Sequence, residues 1–376
     1  MAKLGDIATY INGYAFKPQD WSDEGIPIIR IQDLTGNSYQ ANRYNGEYAS
    51  KYEVTDGDVL ISWSASLGVY IWHGEKAVLN QHIFKVVFDK ERISKDFFVH
   101  QVGLILENAA SDAHGATMKH LTKPVFDALP FYLPPYEKQC EIAEVLDKVT
   151  SLISLRKQQL AKLDELVKAR FVEMFGDPVY NEMHWETKRL IDICRTIVDC
   201  PHSTPHYTTK DTGYKCIRTS AVKKNKILWE KVECISKQEY EERIKRKRPE
   251  KGDVIYTREG AILGIAAVID RDYNVALGQR SMLLSPDIYQ CTPCFLSMAM
   301  NFDSFLGKAL GGVSGSASPH INVGDIKALE IIAPPIEIQN QFSTFVEQVD
   351  QQKQTVQESL EKLELMKKAL MQEYFG

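Results

Sequence analysis

The sequence predicts an α+β protein built twice, with two mixed α/β domains joined by two long antiparallel helices in pseudo-twofold symmetry. Residues 134–176 return at 334–376 without a gap, and 13 of the 43 aligned pairs are identical, more than shared helical composition supplies. Each copy begins with Pro-Pro and spaces its apolar residues alternately by three and four, the seam of a coiled coil. The segments before each copy break short β-rich runs with Gly, Asp and Asn, the signature of small strands and turns.

The first long helix places Ile142, Leu146, Val149, Ile153, Leu160, Leu163, Val167 and Met174 on its seam, and the second places Phe342, Val346, Val349, Val356, Leu360, Leu363, Leu370 and Tyr374. Pro134-Pro135 and Pro334-Pro335 withhold amides that a first turn does not need, and Gly176 stands where a C-terminal cap belongs. Each helix should extend roughly 58 Å at 1.5 Å per residue. Arg156 and Lys353 interrupt the seam, which favours a partner helix of different sequence over a homodimeric coil. The other copy is such a partner.

The blocks at 1–133 and 177–333 repeat more weakly. Lys3-Leu4 with Asp6-Ile7 matches Arg189-Leu190 with Asp192-Ile193 at an offset of 186, Ile29-Arg30 matches Ile217-Arg218 at 188, and Gly57-Asp58-Val59 matches Gly252-Asp253-Val254 at 195. Leu79 and Gln81 match Leu277 and Gln279 at 198, while Gly115, His120, Ala128 and Leu129 match Gly315, His320, Ala328 and Leu329 at 200. The growing offset makes the second block 14 residues longer, and seven of those lie between Arg218 and Gly252. Strands are expected at IPIIRI, DVLISW, VYIWH, IFKVVF, DVIYT, IAAVI and SMLLS, forming one small sheet per block, with helical patches near 96–106 and 293–310. Asp177 to Trp185 reads as a linker.

At 376 residues and 44% hydrophobic composition, the chain can fill two or more cores. The opening MAKLGDIATYINGYAF lacks a basic stretch followed by a long apolar run, and the longest apolar and glycine run, Ala261 to Ile269, is too short to span a bilayer. A soluble, cytoplasmic protein with no membrane partner is expected. Seven scattered cysteines suit free thiols in a reducing compartment. A net charge of −5 argues against indiscriminate nucleic-acid binding, yet 1–133 carries 12 basic and 16 acidic side chains against 22 and 20 in 177–333. The excess gathers at Lys223, Lys224 and Lys226 and at Arg243, Lys245, Arg246, Lys247 and Arg248, a footprint suited to phosphates. Glu239, Glu241 and Glu242 lie just upstream, so a solvated charge run is the competing account.

Few residues point to catalysis. Leu133-Pro134-Pro135-Tyr136 lacks the polar first residue of a methyltransferase Asn/Asp-Pro-Pro-Tyr motif, Glu259 to Gly264 is too loose for a nucleotide fingerprint, and no Walker loop is present. Cys194, Cys200, His202, His206 and Cys216, with a lone Cys291-x-x-Cys294, miss the usual zinc spacings. The first block has no cysteine, so no metal is expected in the shared fold. Gly311 to His320 and its counterpart His114 to His120 are either phosphate-cradling loops or surface turns.

The order of domain, Pro-Pro-led helix, domain and Pro-Pro-led helix, with Ile-Arg, Gly-Asp-Val, the Gly/Ser loop and Pro-Pro-x-x-x-Gln in each half, resembles the specificity subunit of type I restriction-modification enzymes. The resemblance spans essentially the whole chain. It departs where that family often has Glu directly before the Gln, since Lys138 and Ile338 stand there and Glu137 and Glu337 stand one earlier. It implies two target recognition domains, 1–133 and 177–333, that bind double-stranded DNA. It also implies a central spacer helix, 134–176, and a C-terminal one, 334–376, that dock two methyltransferase subunits, with restriction/translocase subunits joining the complex. On this resemblance the chain is non-catalytic and binds no cofactor, while the complex uses S-adenosylmethionine, ATP and Mg. Candidate DNA contacts are Arg30, Trp63, Ser64, Gln81, His82, Lys119, His120, Arg218, Lys223, Lys224, Arg246, Lys247, Arg248, Arg258, Gln279, Arg280, Ser316 and His320. Gln81 or Gln279 can pair with adenine and Arg258 or Arg280 with guanine, unless they bind phosphate. Leu146, Leu160, Leu163, Val346, Leu360 and Leu363 are the candidate docking residues. A metal-dependent nuclease built on Asp58 and Asp253, or a scaffold that binds only protein, are the rival readings.

Overall fold

A computed structural model describes residues 1–37, 42–112, 122–259, 263–311 and 320–376. They form two compact units, residues 1–158 with 357–376, and residues 159–356. The long helices run Tyr136–Phe175 and Ile336–Phe375, and the division cuts both near their middles. Each unit thus takes one globular block and half of each helix.

In the first unit a four-stranded antiparallel sheet runs in the order Thr9–Asn12, Ile83–Val87, Val59–Ser62, Gly68–Ile71. Strand alternation sorts its side chains between two cores. Val59, Ile61, Phe84 and Val86 face a helical core with Phe97, Phe98 and Phe131, whereas Leu60 and Ile83 face a second sheet through Ile29, Val54 and Leu79. That sheet is ordered Arg43–Tyr44, Ile26–Ile29, Ala77–Leu79, Glu53–Val54, its middle pair parallel. Burial on both faces explains why Ile26–Ile29, Val59–Ser62 and Ala77–Leu79 read as nearly unbroken apolar runs.

The second unit repeats the plan. Cys194–Asp199, Ser281–Pro286, Val254–Thr257 and Ala266–Val268 form the first sheet, and Glu233–Cys234, Tyr214–Ile217 and Asn274–Leu277 the second. Tyr256, Met282 and Leu284 join the helical core, while Ile255 and Leu283 join the inter-sheet core. Each block therefore holds two main sheets among the described residues, with smaller two-stranded pairs besides, rather than the single one expected, because Ala77–Leu79, Tyr214–Ile217 and Asn274–Leu277 are too short to announce themselves. A bulge between Cys194 and Thr196 inserts one extra residue into the first strand.

Within each unit the half-helices run antiparallel. In the first, Ile142, Ala143 and Leu146 share a core with Leu370, Met371, Tyr374 and Phe375, and Arg156 Nε donates to Ser359 Oγ at 3.3 Å. In the second, Phe171 packs edge-on against Phe342, their centroids 5.5 Å apart, and Lys353 pairs with Asp164 at 2.6 Å. The polar interruptions of the seam thus meet polar partners. Leu146 is fully buried, Leu360 nearly so, and Leu163 and Val346 pack against the second unit's core. Leu146 and Leu360 are thus taken up inside the chain, because a seam residue faces its intramolecular partner; Leu163 and Val346, like Leu160 and Leu363, are half-buried.

The motif Pro-Pro-x-x-x-Gln acquires a physical role. Gln139 Oε1 accepts the Ser94 N–H at 2.9 Å and its Nε2 donates to Pro134 O at 2.9 Å. Gln339 likewise accepts the Thr292 N–H at 2.9 Å and donates to Pro334 O and Gln290 O at 2.8 and 3.0 Å. Both amides are buried and tie a helix entry to its domain. The departures beside them leave this tie intact: Lys138 pairs with Glu141 at the surface, and Ile338 packs on the core.

One local expectation changes. The 293–310 run divides into Pro293–Met300 and Asp303–Leu310, because the Asn301 side chain bonds both backbone groups of Ala266 at 2.9 and 2.7 Å. The Asp177–Trp185 linker takes the form of a capped corner. Gly176 takes φ +73°, Asp177 Oδ1 accepts the Val179 and Tyr180 amides and the Ser304 hydroxyl, and Trp185 Nε1 donates to Phe175 O at 3.1 Å.

Candidate nucleic-acid interface

In each unit the first sheet ends in a polar edge where one strand stops, a second leaves the sheet and a turn enters a third. In the first unit this edge holds Asn12, Trp63, Ser64, Gln81 and His82. Trp63 N–H reaches His82 O at 3.4 Å, its indole Nε1 donates to Asn12 Oδ1 at 3.2 Å, and its ring stacks on Phe84 and meets His82 edge-on. His82 Nδ1 is buried without a hydrogen-bond partner among the described residues. The Gln81 backbone amide is held by Asn80 Oδ1 at 2.7 Å, which leaves its half-buried side chain unengaged among the described residues. Ser64 is buried and its carbonyl accepts from Ser62 Oγ.

The second unit keeps the backbone and changes the side chains. Asn12 pairs with Phe84 as Asp199 pairs with Met282, and Ser62 pairs with Ile83 as Thr257 pairs with Ser281. Arg258 N–H bonds Arg280 O at 3.0 Å, the counterpart of the Trp63–His82 bond. Arg258 is buried and closes its guanidinium fork on Asp199, Nε to Oδ1 at 2.8 Å and Nη2 to Oδ2 at 3.0 Å. Its expected guanine-reading role does not suit this geometry, because the fork is already occupied. Arg280 is the exposed guanidinium of this edge, on a left-handed backbone (φ +68°) and 3.6 Å from Glu259. His202 lies 3.3 Å from Asp199, Gln279 Nε2 donates to His202 O, and His320 bridges to Glu259.

The basic run divides. Arg243 is buried and donates to Leu277 O and Ser203 O, so it braces the fold. Lys245 pairs with Glu242, Lys247 with Glu250 and Asp253, Arg248 reaches Asn274, and Arg246 reaches Asp199 O at 3.4 Å. Lys223 is exposed, and Lys224 pairs with Asp303 at 2.7 Å. Arg218 pairs with Glu233 at 2.7 Å and lies over Tyr207, while Arg30 lies over Trp21 at 5.2 Å. Lys119, His120 and Ser316 fall outside the described residues. Asn12, Asp199 and His202 are absent from the sequence-derived contacts. Their signal is the repeated Leu-x-Asp-Ile anchor, which places a polar residue at the end of the next strand in each block.

No group of three or more His, Cys, Asp or Glu able to hold a metal occurs among the described residues. Burial pushes the Cys194 and Cys294 thiols up to about 12 and Cys216 to about 11, far from the thiolate form a nucleophile or ligand needs. Asp58, the nuclease candidate, pairs with Lys85 at 2.9 Å and caps the Thr55 amide. No helix among the described residues is long and apolar enough to cross a membrane.

Residues 1–165 and 182–365 match the family model described as type I restriction modification DNA specificity domain. The chain is 25% identical over 374 residues to the type I restriction enzyme EcoBI specificity subunit of Escherichia coli, covering 92% of this chain and 78% of that one. It is 23% identical to the MjaVIII specificity subunit of Methanocaldococcus jannaschii, covering 99% and 90%. In fold it is similar to the S subunit of a type I restriction-modification system from M. genitalium, at a TM-score of 0.57 and 12% identity over 98% of this chain and 94% of that one. A chain from a structure of type I restriction-modification complex assembly gives 0.57 and 16% over 100% and 96%.

Proposed function

Because the chain belongs to the type I restriction modification DNA specificity family, we propose that its two sheet edges read two different half-sites of one asymmetric target. The chain is a DNA specificity subunit that assembles with other subunits and carries no catalysis of its own. The observation that supports two readings is the substitution of side chains on a conserved backbone: Asn12, Trp63 and His82 at one edge, Asp199, Arg258 and Arg280 at the other. Neighbouring Gln81 and Gln279 suit adenine, and Arg280 suits guanine or a phosphate.

Methylation and cleavage then fall to partner subunits, two methyltransferases and the restriction/translocase subunits, which supply the sites for S-adenosylmethionine, ATP and Mg. With most of the seam buried, docking falls to apolar residues left outward on the helices, among them Leu152, Leu155, Leu365 and Met366 in the first unit and Leu166 and Val172 in the second. Genome-wide mapping of methylated positions in cells with and without this chain tests the reading. Two dissimilar half-sites separated by unread bases are expected, and a single contiguous motif would overturn it. Purified alone, the chain should bind duplex DNA and cut none.

A further inference from the structure

Within the lengthened span between Arg218 and Gly252 of the second block lies a hairpin, Val222–Lys223 paired with Lys226–Ile227. Its two-residue turn is closed by Asn225 at φ +59°, a left-handed conformation that Asn tolerates better than most residues. The turn is pinned from below. Asn225 N–H donates to Ala266 O at 2.9 Å, and Asn225 Oδ1 accepts from Ser297 Oγ at 2.9 Å and Asn301 Nδ2 at 2.7 Å, both residues buried. Of the three lysines, Lys224 is spent on Asp303. Lys223 and Lys226 stand directly opposite one another, exposed, with no ion-pair partner among the described residues.

Like charges facing each other across a ladder destabilise it, and here a buried polar knot holds them in place. We propose that Lys223 and Lys226, on this hairpin of the second unit, form a clamp for the phosphate backbone of duplex DNA. The inference rests on the DNA-binding reading and assigns the phosphate contact to this hairpin rather than to the 245–248 run, whose cations are tied to acidic or carbonyl groups.

Position supports the assignment. Ala266 opens the outer strand of the first sheet at the same end where Asp199 and Thr257 finish. The Cys194–Asp199 strand lies three strand spacings away, roughly 14 Å. That is close to the major-groove width of about 12 Å, so side chains at the reading edge can enter the groove while the hairpin grips its flank.

The test is the salt dependence of binding by the full-length chain to a mixed-sequence DNA duplex. Lys223→Gln with Lys226→Gln should flatten the slope of log K against log salt by about 1.8, since each released phosphate contact accounts for about 0.9. Lys224→Gln should leave the slope nearly unchanged, and Arg246→Gln with Lys247→Gln and Arg248→Gln should change it less than the hairpin pair. The melting temperature of the double variant should hold or rise as the repulsion is relieved. An unchanged slope in the double variant, or a flattened slope accompanied by a lower melting temperature, overturns the clamp while the DNA-binding reading stands. A wild-type chain without salt-dependent duplex binding overturns both.

Discussion

The first unit closes the polar edge of its first sheet with an indole donating to an amide, Trp63 to Asn12, and the second closes the same edge with a guanidinium forked on a carboxylate, Arg258 to Asp199. The strand pairings beneath are equivalent, so the fold separates the strand scaffold from the side chains at its edge. Core alternation fixes where the strands end, and the side chains at those ends are free to differ. The neutral pair exposes a ring system with His82, whereas the charged pair buries its cation and leaves Arg280 as the outward group.

The largest way to break this comparison is to remove one partner from each pair. Asp199→Ala leaves the Arg258 charge buried and unpaired, and should cost the second unit about 3–5 kcal/mol. Asn12→Ala removes a neutral bond and should cost about 0.5–1.5 kcal/mol. Chemical denaturation checks both, and equal losses would mean that the two edges are held alike. In a double-mutant cycle, Asp199→Asn with Arg258→Trp should be less damaging than the summed single changes, since each single change strands a partner.

Next in size are the buried glutamines. Gln139→Ala and Gln339→Ala each orphan a domain amide and a proline carbonyl, and should cost about 1–3 kcal/mol apiece, slightly more at Gln339, which makes one bond more. A large difference between them would show that the two helix entries are not equivalent. For recognition, Arg280→Ala should lose about 1–3 kcal/mol of base discrimination at one half-site, and His82→Ala should alter only the other. Methylation of target libraries randomised at one half-site measures this, and a change at both half-sites from either variant removes the division of labour.

The smallest effect sharpens the contrast between tied and untied lysines. Hydrogen bonding to Lys224 holds the Asp303 carboxyl below the usual carboxylate range. A depressed folded-state value stabilises above the unfolded value near 4 and fades as pH falls through the folded one. The pair is exposed, so the loss should stay under about 0.5 kcal/mol. Comparing acid denaturation of the wild type and Lys224→Gln checks it, and a larger difference would mean that the pair is more than a surface contact.

Much of the architecture is legible because repetition and periodicity are local. The offset of 200, the Pro-Pro entries and the three-four spacing determine two long helices and two related blocks, and Arg156 and Lys353 on the seam already call for an unlike partner. The short strands Ala77–Leu79 and Asn274–Leu277 were not legible, since three or four residues carry too little pattern. Tertiary structure alone decided which cations are free. Arg243 and Arg258 sit in the sequence like any other basic residue, yet one braces carbonyls from distant segments and the other is closed by an aspartate 59 positions earlier. Charge is written in the sequence one residue at a time, whereas burial and pairing depend on strands brought together from across the chain.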